Sequence, residues 1–363
     1  MMPKIEDVRK KIDELDDRLL ALLNRRAKLV MEIGRIKKKE NSRFHVPDRE
    51  KRIIERLTKN NEGPFPNESL QAVLKEIFSA SLSLEAPAKI AYLGPKATFS
   101  HLACLQQFGY SAQYVPVNSI SEVFAEAERG LAEYGVVPIE NSTEGVVSHT
   151  LDMFMDSELN ISGEIMLEVS HYLMNMTGKL SDVMKIYSHP QPLAQCRNWL
   201  EKNLRGISLV ETSSTTRAAE MAAEDPSIAA IGSRLAAEMY GLKILRERIE
   251  DNVNNFTRFL IISRKYPART GKDKTSIMFS VKDRPGALYD MLKPFAERGI
   301  SLTKIESRPS RKKAWEYHFF VDMEGHIADR KVKEAVSELG RNCLFLKVLG
   351  AYPAAQVNKA VGK

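Results

Sequence analysis

Arg26 stands where the first helical pattern of this chain calls for an apolar residue. Leu22 and Leu29 flank it at the spacings of a buried stripe. Lys37 follows eleven residues later, about 20° away around a helix of 3.6 residues per turn. An unpaired buried cation is costly, so this face should meet an anion, either an acidic side chain such as Glu50 or a small polyanionic ligand. Ser81 and Glu85 lie one turn apart in a later helical pattern. They read either as a polar helix end or as hydrogen-bonding groups turned toward the same cavity.

A second set of polar groups recurs at turns. Gly94-Pro95-Lys96-Ala97-Thr98-Phe99-Ser100 follows a short apolar run, and Pro138-Ile139-Glu140-Asn141-Ser142-Thr143 ends another. Ser188-His189-Pro190-Gln191 and Ser213-Ser214-Thr215 precede helical stretches, and Asn254-Asn255-Phe256-Thr257-Arg258-Phe259 opens a strand. Each alone could be an ordinary helix cap. Together they place hydroxyls and amides where open α/β sheets bind ligands and where helix N-termini attract anions. No GxGxxG or GxxxxGK[ST] motif is present, so no dinucleotide or nucleotide-phosphate site is expected.

These groups need elements to hold them. Ile5, Val8, Ile12, Leu15, Leu19, Leu22, Leu29, Ile33 and Ile36 form a heptad-like seam. The helix they define is roughly 50 Å long and cannot bury its seam without long neighbours or a second copy. Two shorter helices, about 47–59 and 67–84, complete an all-α, dimeric N-terminal domain. Residues 89–265 alternate short strands (90–93, 136–139, 259–262) with helices, an α/β pattern. Residues 275–352 read βαββαβ, which is ferredoxin-like. The expected domains are 1–86, 89–265 and 274–352.

Composition limits the alternatives. The chain has 363 residues, 43% hydrophobic and 28% charged, as a folded multidomain protein should. Residues 1–59 hold 18 Lys/Arg and 11 Asp/Glu, which accounts for the whole net charge of +7. The excess therefore belongs to one helical segment, and the buried placement of Arg26 argues against a nucleic-acid binder. The first eleven residues are charged and lack the apolar core of a signal peptide, and no run approaches a membrane span. Cys104, Cys196 and Cys343 are far apart, so neither a disulfide framework nor a zinc ribbon is expected. No metal or cofactor is expected, and the compartment is a reducing cytoplasm.

The motifs resemble known families. Residues 5–85 are similar to the all-helical chorismate mutases through Arg9, Arg26, Lys37, Arg49, Glu50, Ser81 and Glu85. The resemblance implies an interlocked dimer whose cations hold the two carboxylates of chorismate, with Arg9 serving the partner's site. A lysine and an amide or acid then hydrogen-bond the breaking ether bond. Two positions depart from that pattern: Val46 where many members have Asp, and Glu85 where many have Gln.

Residues 89–265 resemble prephenate dehydratases, implying two lobes of the type II periplasmic-binding-protein kind with the site in the cleft. Within Thr257-Arg258-Phe259 the resemblance gives Thr257 the central catalytic position. It implies substrate binding by Thr98, Ser100, Asn141, Ser142, Ser188, Gln191, Gln195, Ser213, Ser214, Thr215 and Asn255. Glu140 and His189 are candidate proton sources, and strand alternation turns Arg258 away from Thr257.

The last segment resembles ACT domains through Asp283-Arg284-Pro285-Gly286-Ala287-Leu288 and Glu306-Ser307-Arg308-Pro309. This implies phenylalanine bound near Gly286, Ala287, Leu288, Glu306, Ser307 and Arg308, where two copies meet. The three resemblances in order imply conversion of chorismate to prephenate and then to phenylpyruvate, with feedback inhibition by phenylalanine. The competing readings are a dehydratase with a vestigial mutase domain and an amino-acid-sensing binding protein.

Overall fold

The computed structural model describes residues 5–39, 47–85, 88–281, 284–309 and 317–355. Val46 and the side chains of Lys37 and Glu85 lie outside the described residues. The chain divides into two compact units, one formed by residues up to 88 with 108–113, the other by the remainder.

The first unit contains α1 (Ile5–Lys39), α2 (Pro47–Lys59) and α3 (Asn67–Glu85). Glu6 and Asp7 in the first turn of α1, and Arg56 and Lys59 in the last turn of α2, complement the helix dipoles. α3 packs on both α1 and α2. The seam of α1 is nevertheless open in the single chain: Ile5 is 72% exposed, Leu22 62% and Leu29 56%. Three helices cover only part of a 35-residue rod.

The second unit begins with a mixed sheet. Its elements are β1 (Lys89–Leu93), α4 (Phe99–Phe108), β2 (Gln113–Val117), α5 (Ile120–Glu128), β3 (Tyr134–Asn141), β4 (Gly145–Val146), α6 (Ser148–Asp156) and β5 (Asn160–Glu168). The chain then builds a second lobe from β6 (Tyr172–Asn175), β7 (Lys185–Ser188), α7 (Pro190–Gln195), α8 (Arg197–Asn203), β8 (Ser208–Glu211), α9 (Thr215–Glu224), β9 (Ile228–Gly232), α10 (Arg234–Tyr240) and β10 (Lys243–Arg246). It returns as β11 (Phe256–Ser263), which inserts antiparallel between β3 and β5 to give the order β2-β1-β3-β11-β5. The second sheet runs β10-β6-β9-β7-β8. Two crossings, near Val169–His171 and Ile249–Asn255, join the lobes and bond to each other through Ile249 N to His171 O at 3.0 Å and Val169 N to Asn255 O at 2.8 Å.

The last elements are β12 (Asp273–Ser280), α11 (Ala287–Glu297), β13 (Leu302–Pro309), β14 (Tyr317–Glu324), α12 (Arg330–Asn342) and β15 (Phe345–Pro353). They form an antiparallel sheet, β13-β14-β12-β15, in the expected ferredoxin-like order. One face packs on the two helices through Ile277, Phe279, Met291, Phe295, Val321 and Leu339. On the other face, Met278, Phe320, Leu349 and Tyr352 join Val137, Phe154 and Leu260 in the core of the first lobe. The sheet is therefore covered on both sides, which explains the almost continuous burial of β12. At Gly350 a Cβ would sit 2.2 Å from the Ile161 carbonyl oxygen, so only glycine permits β15 to approach β5 this closely.

Candidate active site

In the helical unit each helix supplies part of one cluster. The Arg26 guanidinium of α1 donates to Ser81 Oγ of α3 and lies over the Phe78 ring, 5.4 Å from its centroid. Ser81 Oγ donates onward to the Ile77 carbonyl at 2.5 Å. Burial lowers the Arg26 pKa; Glu50 of α2 opposes that shift and Arg49 adds to it. Arg26, Arg49, Glu50 and Ser81 are thus brought together, and Glu50 supplies the opposite charge that the seam break calls for. Arg9 is exposed and stands about 25 Å further along α1, away from this cluster.

In the second unit the expected residues meet where β3 ends and β11 begins. Asn141 lies opposite Thr257 in the antiparallel register. The Asn141 side-chain oxygen accepts from the backbone N–H of Thr143 at 2.9 Å and of Glu144 at 3.1 Å. Those bonds fix which end of the amide is nitrogen. Its Nδ2 then donates to Thr257 Oγ1 at 2.8 Å and to Asn255 Oδ1 at 2.9 Å. Asn255 Nδ2 donates to Gln195 Oε1 at 3.1 Å, and Gln195 Nε2 donates to Glu144 at 3.0 Å. The amides can satisfy one another in this sense only. Because Thr257 Oγ1 accepts from Asn141, its own proton is left to point elsewhere.

His171, in one crossing between the lobes, completes the chain. Its Nε2 is 2.7 Å from Gln195 Oε1, which can only accept, so Nε2 carries the proton. Burial lowers the His171 pKa, opposed by the Gln195 bond and the charges of Glu250 and Glu144. Glu250 accepts from the His171 backbone N–H at 2.8 Å. Sequence reasoning missed His171, Glu144 and Glu250, whose partners lie too far along the chain for any spacing to register.

The other expected residues sit at the turns that carry polar groups, with varied engagement. Thr98 Oγ1 donates to the Pro95 carbonyl at 3.0 Å and accepts from His101 N at 3.4 Å, while Ser100 is buried. Ser233 Oγ and Thr216 Oγ1, from the second lobe, donate to the Ala97 and Lys96 carbonyls at 2.9 and 2.7 Å, seating the 94–100 turn against that lobe. Ser142 Oγ donates to the Asn254 carbonyl at 3.0 Å. Ser188 is fully buried with its hydroxyl proton on the Ile231 carbonyl at 2.8 Å. Ser214 caps α9 by accepting from Arg217 N, with Ser213 exposed before it and Thr215 buried after it. Gln191 is half-buried in the first turn of α7, which His189 caps.

Glu140 is not turned to the cleft. It lies opposite Arg258 in register, and its carboxylate meets Lys304 of β13 at 2.6 Å. The proton-source reading of Glu140 fails because alternation puts its side chain on the face away from Asn141 and Thr257. The cysteines offer no nucleophile, since burial raises the pKa of all three thiols. Among the described residues no group of three or more His, Cys, Asp or Glu could hold a metal ion, and no helix is long and apolar enough to cross a membrane.

In the last domain Gly286 has φ 75° and precedes α11 as its N-cap, with open space where a Cβ would stand. Within the chain, its requirement for glycine is the left-handed backbone conformation. Ala287 is buried and Leu288 packs against the domain's own core. Ser307 is exposed, whereas Arg308 forks onto Asp152 of α6 with two 3.1 Å bonds, and Glu306 shares the face of β13 that Arg308 occupies. The motif is thereby split between two faces of one strand.

The chain matches three family models in order: Chorismate mutase type II over residues 8–86, Prephenate dehydratase over 90–267 and ACT domain over 275–341. The bifunctional chorismate mutase/prephenate dehydratase of Aquifex aeolicus is 51% identical over 358 residues, covering 98% of this chain and 99% of that protein. The chain belongs to the bifunctional chorismate mutase/prephenate dehydratase family. The Stutzerimonas stutzeri member is 43% identical over 358 residues, 97% of this chain and 98% of its own. Among solved structures, prephenate dehydratase from Arthrobacter aurescens in complex with L-Phe is 37% identical with a TM-score of 0.68, over 73% of this chain and 90% of that one. Family membership and fold agree: a helical mutase region, a two-lobed dehydratase domain and an ACT domain.

Proposed function

We infer that this chain, a chorismate mutase and a prephenate dehydratase in one polypeptide, carries its second reaction on the Asn141–Thr257 pair. The carrying observation is the direction of one hydrogen bond: Asn141 Nδ2 donates to Thr257 Oγ1, which leaves the Thr257 proton for a substrate oxygen in the cleft. In the reaction the bond from the ring to its carboxylate breaks and CO2 leaves. That electron pair shifts into the ring, and the ring hydroxyl departs. A donor already aimed at the departing oxygen stabilises the charge that develops there without reorganising. Thr257 acts as that donor; Asn141, Asn255 and Gln195 keep it aimed. The N-termini of α4 and α9, with Thr98, Ser100, Ser213, Ser214 and Thr215, bind the carboxylates of prephenate. Ser142, Ser188 and Gln191 shape the turns around them.

In the helical domain Arg26 and Arg49 hold the dicarboxylate of chorismate, with Ser81 and Glu50 fixing their geometry. Lys37 and Glu85 meet the ether oxygen, and Arg9 comes from a second copy. The rearrangement is pericyclic, so orientation and electrostatic stabilisation supply the rate. A second copy is the occupant proposed for the open seam of α1. The seam is apolar over its length, interrupted by Arg26, and its burial stabilises by about 25 cal/mol per Å². The last domain takes phenylalanine as feedback inhibitor, as the complex of the Arthrobacter relative supports. The boundaries 1–86, 89–265 and 274–352 and a cytoplasmic location complete the proposal.

The test is a time course. Chorismate is added to the full-length protein, and prephenate and phenylpyruvate are recorded with and without phenylalanine. Successive appearance of both products, with the second suppressed by phenylalanine, is expected. Chorismate left unconsumed would mean a vestigial mutase; prephenate left unconverted would remove the dehydratase reading.

A further inference from the structure

β3 and β11 present two neighbouring pairs in register: Asn141 opposite Thr257, and Glu140 opposite Arg258. Side chains alternate along a strand, so the first pair faces the cleft and the second the reverse side of the same sheet. The reverse pair is gripped largely by the last domain. Lys304 Nζ of β13 is 2.6 Å from Glu140 Oε2, with the Lys304 side chain only 10% exposed. The buried Arg258 guanidinium donates to Asp322 Oδ2 of β14 at 2.6 Å and to the Tyr352 hydroxyl of β15 at 3.1 Å. It also donates to Glu164 of β5 at 2.7 Å. Ser276 holds the other Asp322 oxygen at 2.5 Å. On the face of β13 that carries Lys304, Arg308 forks onto Asp152 of α6. The opposite face exposes Ile305 and Ser307.

Glu140 itself is half-exposed, but Lys304, Arg258, Asp322 and Glu164 have little access to water, and separating such a charge from its partner strands it. A displacement of β13 or β14 must therefore either carry Glu140 and Arg258 along or break their pairs. Each of these residues is one peptide unit from a member of the catalytic pair. We propose that Glu140 and Arg258 are positioning residues of the dehydratase, and that Lys304 and Asp322 are the side chains by which the regulatory domain sets them. The proposal rests on the reading of Asn141 and Thr257 as the reacting pair. A ligand on the exposed face of β13 inhibits by favouring a strand position in which that pair is misaligned.

The test uses full-length Lys304→Met, Lys304→Arg and the exchanged pair Lys304→Glu with Glu140→Lys. Prephenate turnover is measured against phenylalanine, and chorismate consumption is followed in the same preparation. Lys304→Met should lower dehydratase kcat by about 10-fold or more, since small misplacements at a reacting centre have large effects. KM should stay within about twofold, and maximal inhibition by phenylalanine should shrink, as loss of a coupling free energy requires. Lys304→Arg and the exchanged pair should recover both kcat and inhibition. Wild-type kcat and inhibition in Lys304→Met would overturn the proposal. So would a loss that neither the arginine nor the exchanged pair restores, since that would mark Lys304 as packing only. Failure of the underlying reading looks different: a Thr257→Ala protein would convert prephenate at the wild-type rate.

Discussion

In the helical unit three helices bring Arg26, Arg49, Glu50 and Ser81 to one place, yet the leucine stripe of α1 remains open and Arg9 is far from the cluster. In the two-lobed region Asn141, Asn255 and Gln195 place their amides in one continuous set of bonds that ends on Thr257, all within a single chain. The first arrangement leaves its apolar stripe open in the single chain, whereas the second is preorganised by its own fold. Two reactions that follow one another should therefore respond differently to dilution, to charge removal and to acid.

Charge removal should have the largest effect. Arg26→Leu takes away one cation of the helical cluster and should lower mutase kcat by about 10²–10³, the scale of losing one preorganised charge-stabilising group. Prephenate turnover by the same protein should be unchanged. A parallel loss of both activities would mean that the helical unit supports the cleft. Disruption of the seam comes next. Leu19→Glu should weaken self-association, so that mutase activity per chain falls on dilution while dehydratase activity per chain does not. Equal loss of both, or no dilution effect in either, would erase the contrast.

Much of this contrast is legible in the sequence, for a physical reason. The seam break at Arg26 announces itself because a heptad has a fixed period, and a cation in it violates that period locally. The polar turns before α4, α7 and α9 are likewise local, since caps are set within a few residues. The chain through His171, Gln195 and Asn255 is not local. It joins a crossing, a helix end and a returning strand, and only the folded sheet order brings them together. The Glu306-Ser307-Arg308 motif shows the same limit. Alternation along β13 separates Ser307 from Arg308, but nothing nearby in sequence says that Asp152 and Glu140 cover one face.

Smaller effects sharpen the account within the second unit. Gly350→Ala places a methyl group 2.2 Å from the Ile161 carbonyl and should destabilise this unit by about 1–3 kcal/mol, the range for overpacking. Gly286→Ala meets open space and should cost only the strain of φ 75°, about 1 kcal/mol. Thermal unfolding of the two variants separates contact from conformation, and the reverse order would contradict the packing of β15 on β5. His171 predicts a pH effect. Its pKa is lowered by burial from an ordinary 6.5, so as pH falls below that value the unfolded chain takes up a proton that the folded chain refuses. Stability should therefore decline as pH drops from about 6.5 toward the lowered folded value. His171→Gln, which keeps a donor to Gln195, should flatten that decline in acid-unfolding curves. An unaltered slope would assign it to another group, and His101, also lowered by burial and by Lys96, would be tested next.

The most direct measurement of the central claim follows chorismate through a Thr257→Ala protein beside the wild type. Thr257 is the terminus of the amide chain. Chorismate should disappear at the wild-type rate, prephenate should accumulate, and phenylpyruvate should form about 10²–10³ times more slowly. Phenylpyruvate formed at the wild-type rate would contradict the account, because the hydroxyl that the Asn141 amide is built to aim would then play no part in the reaction.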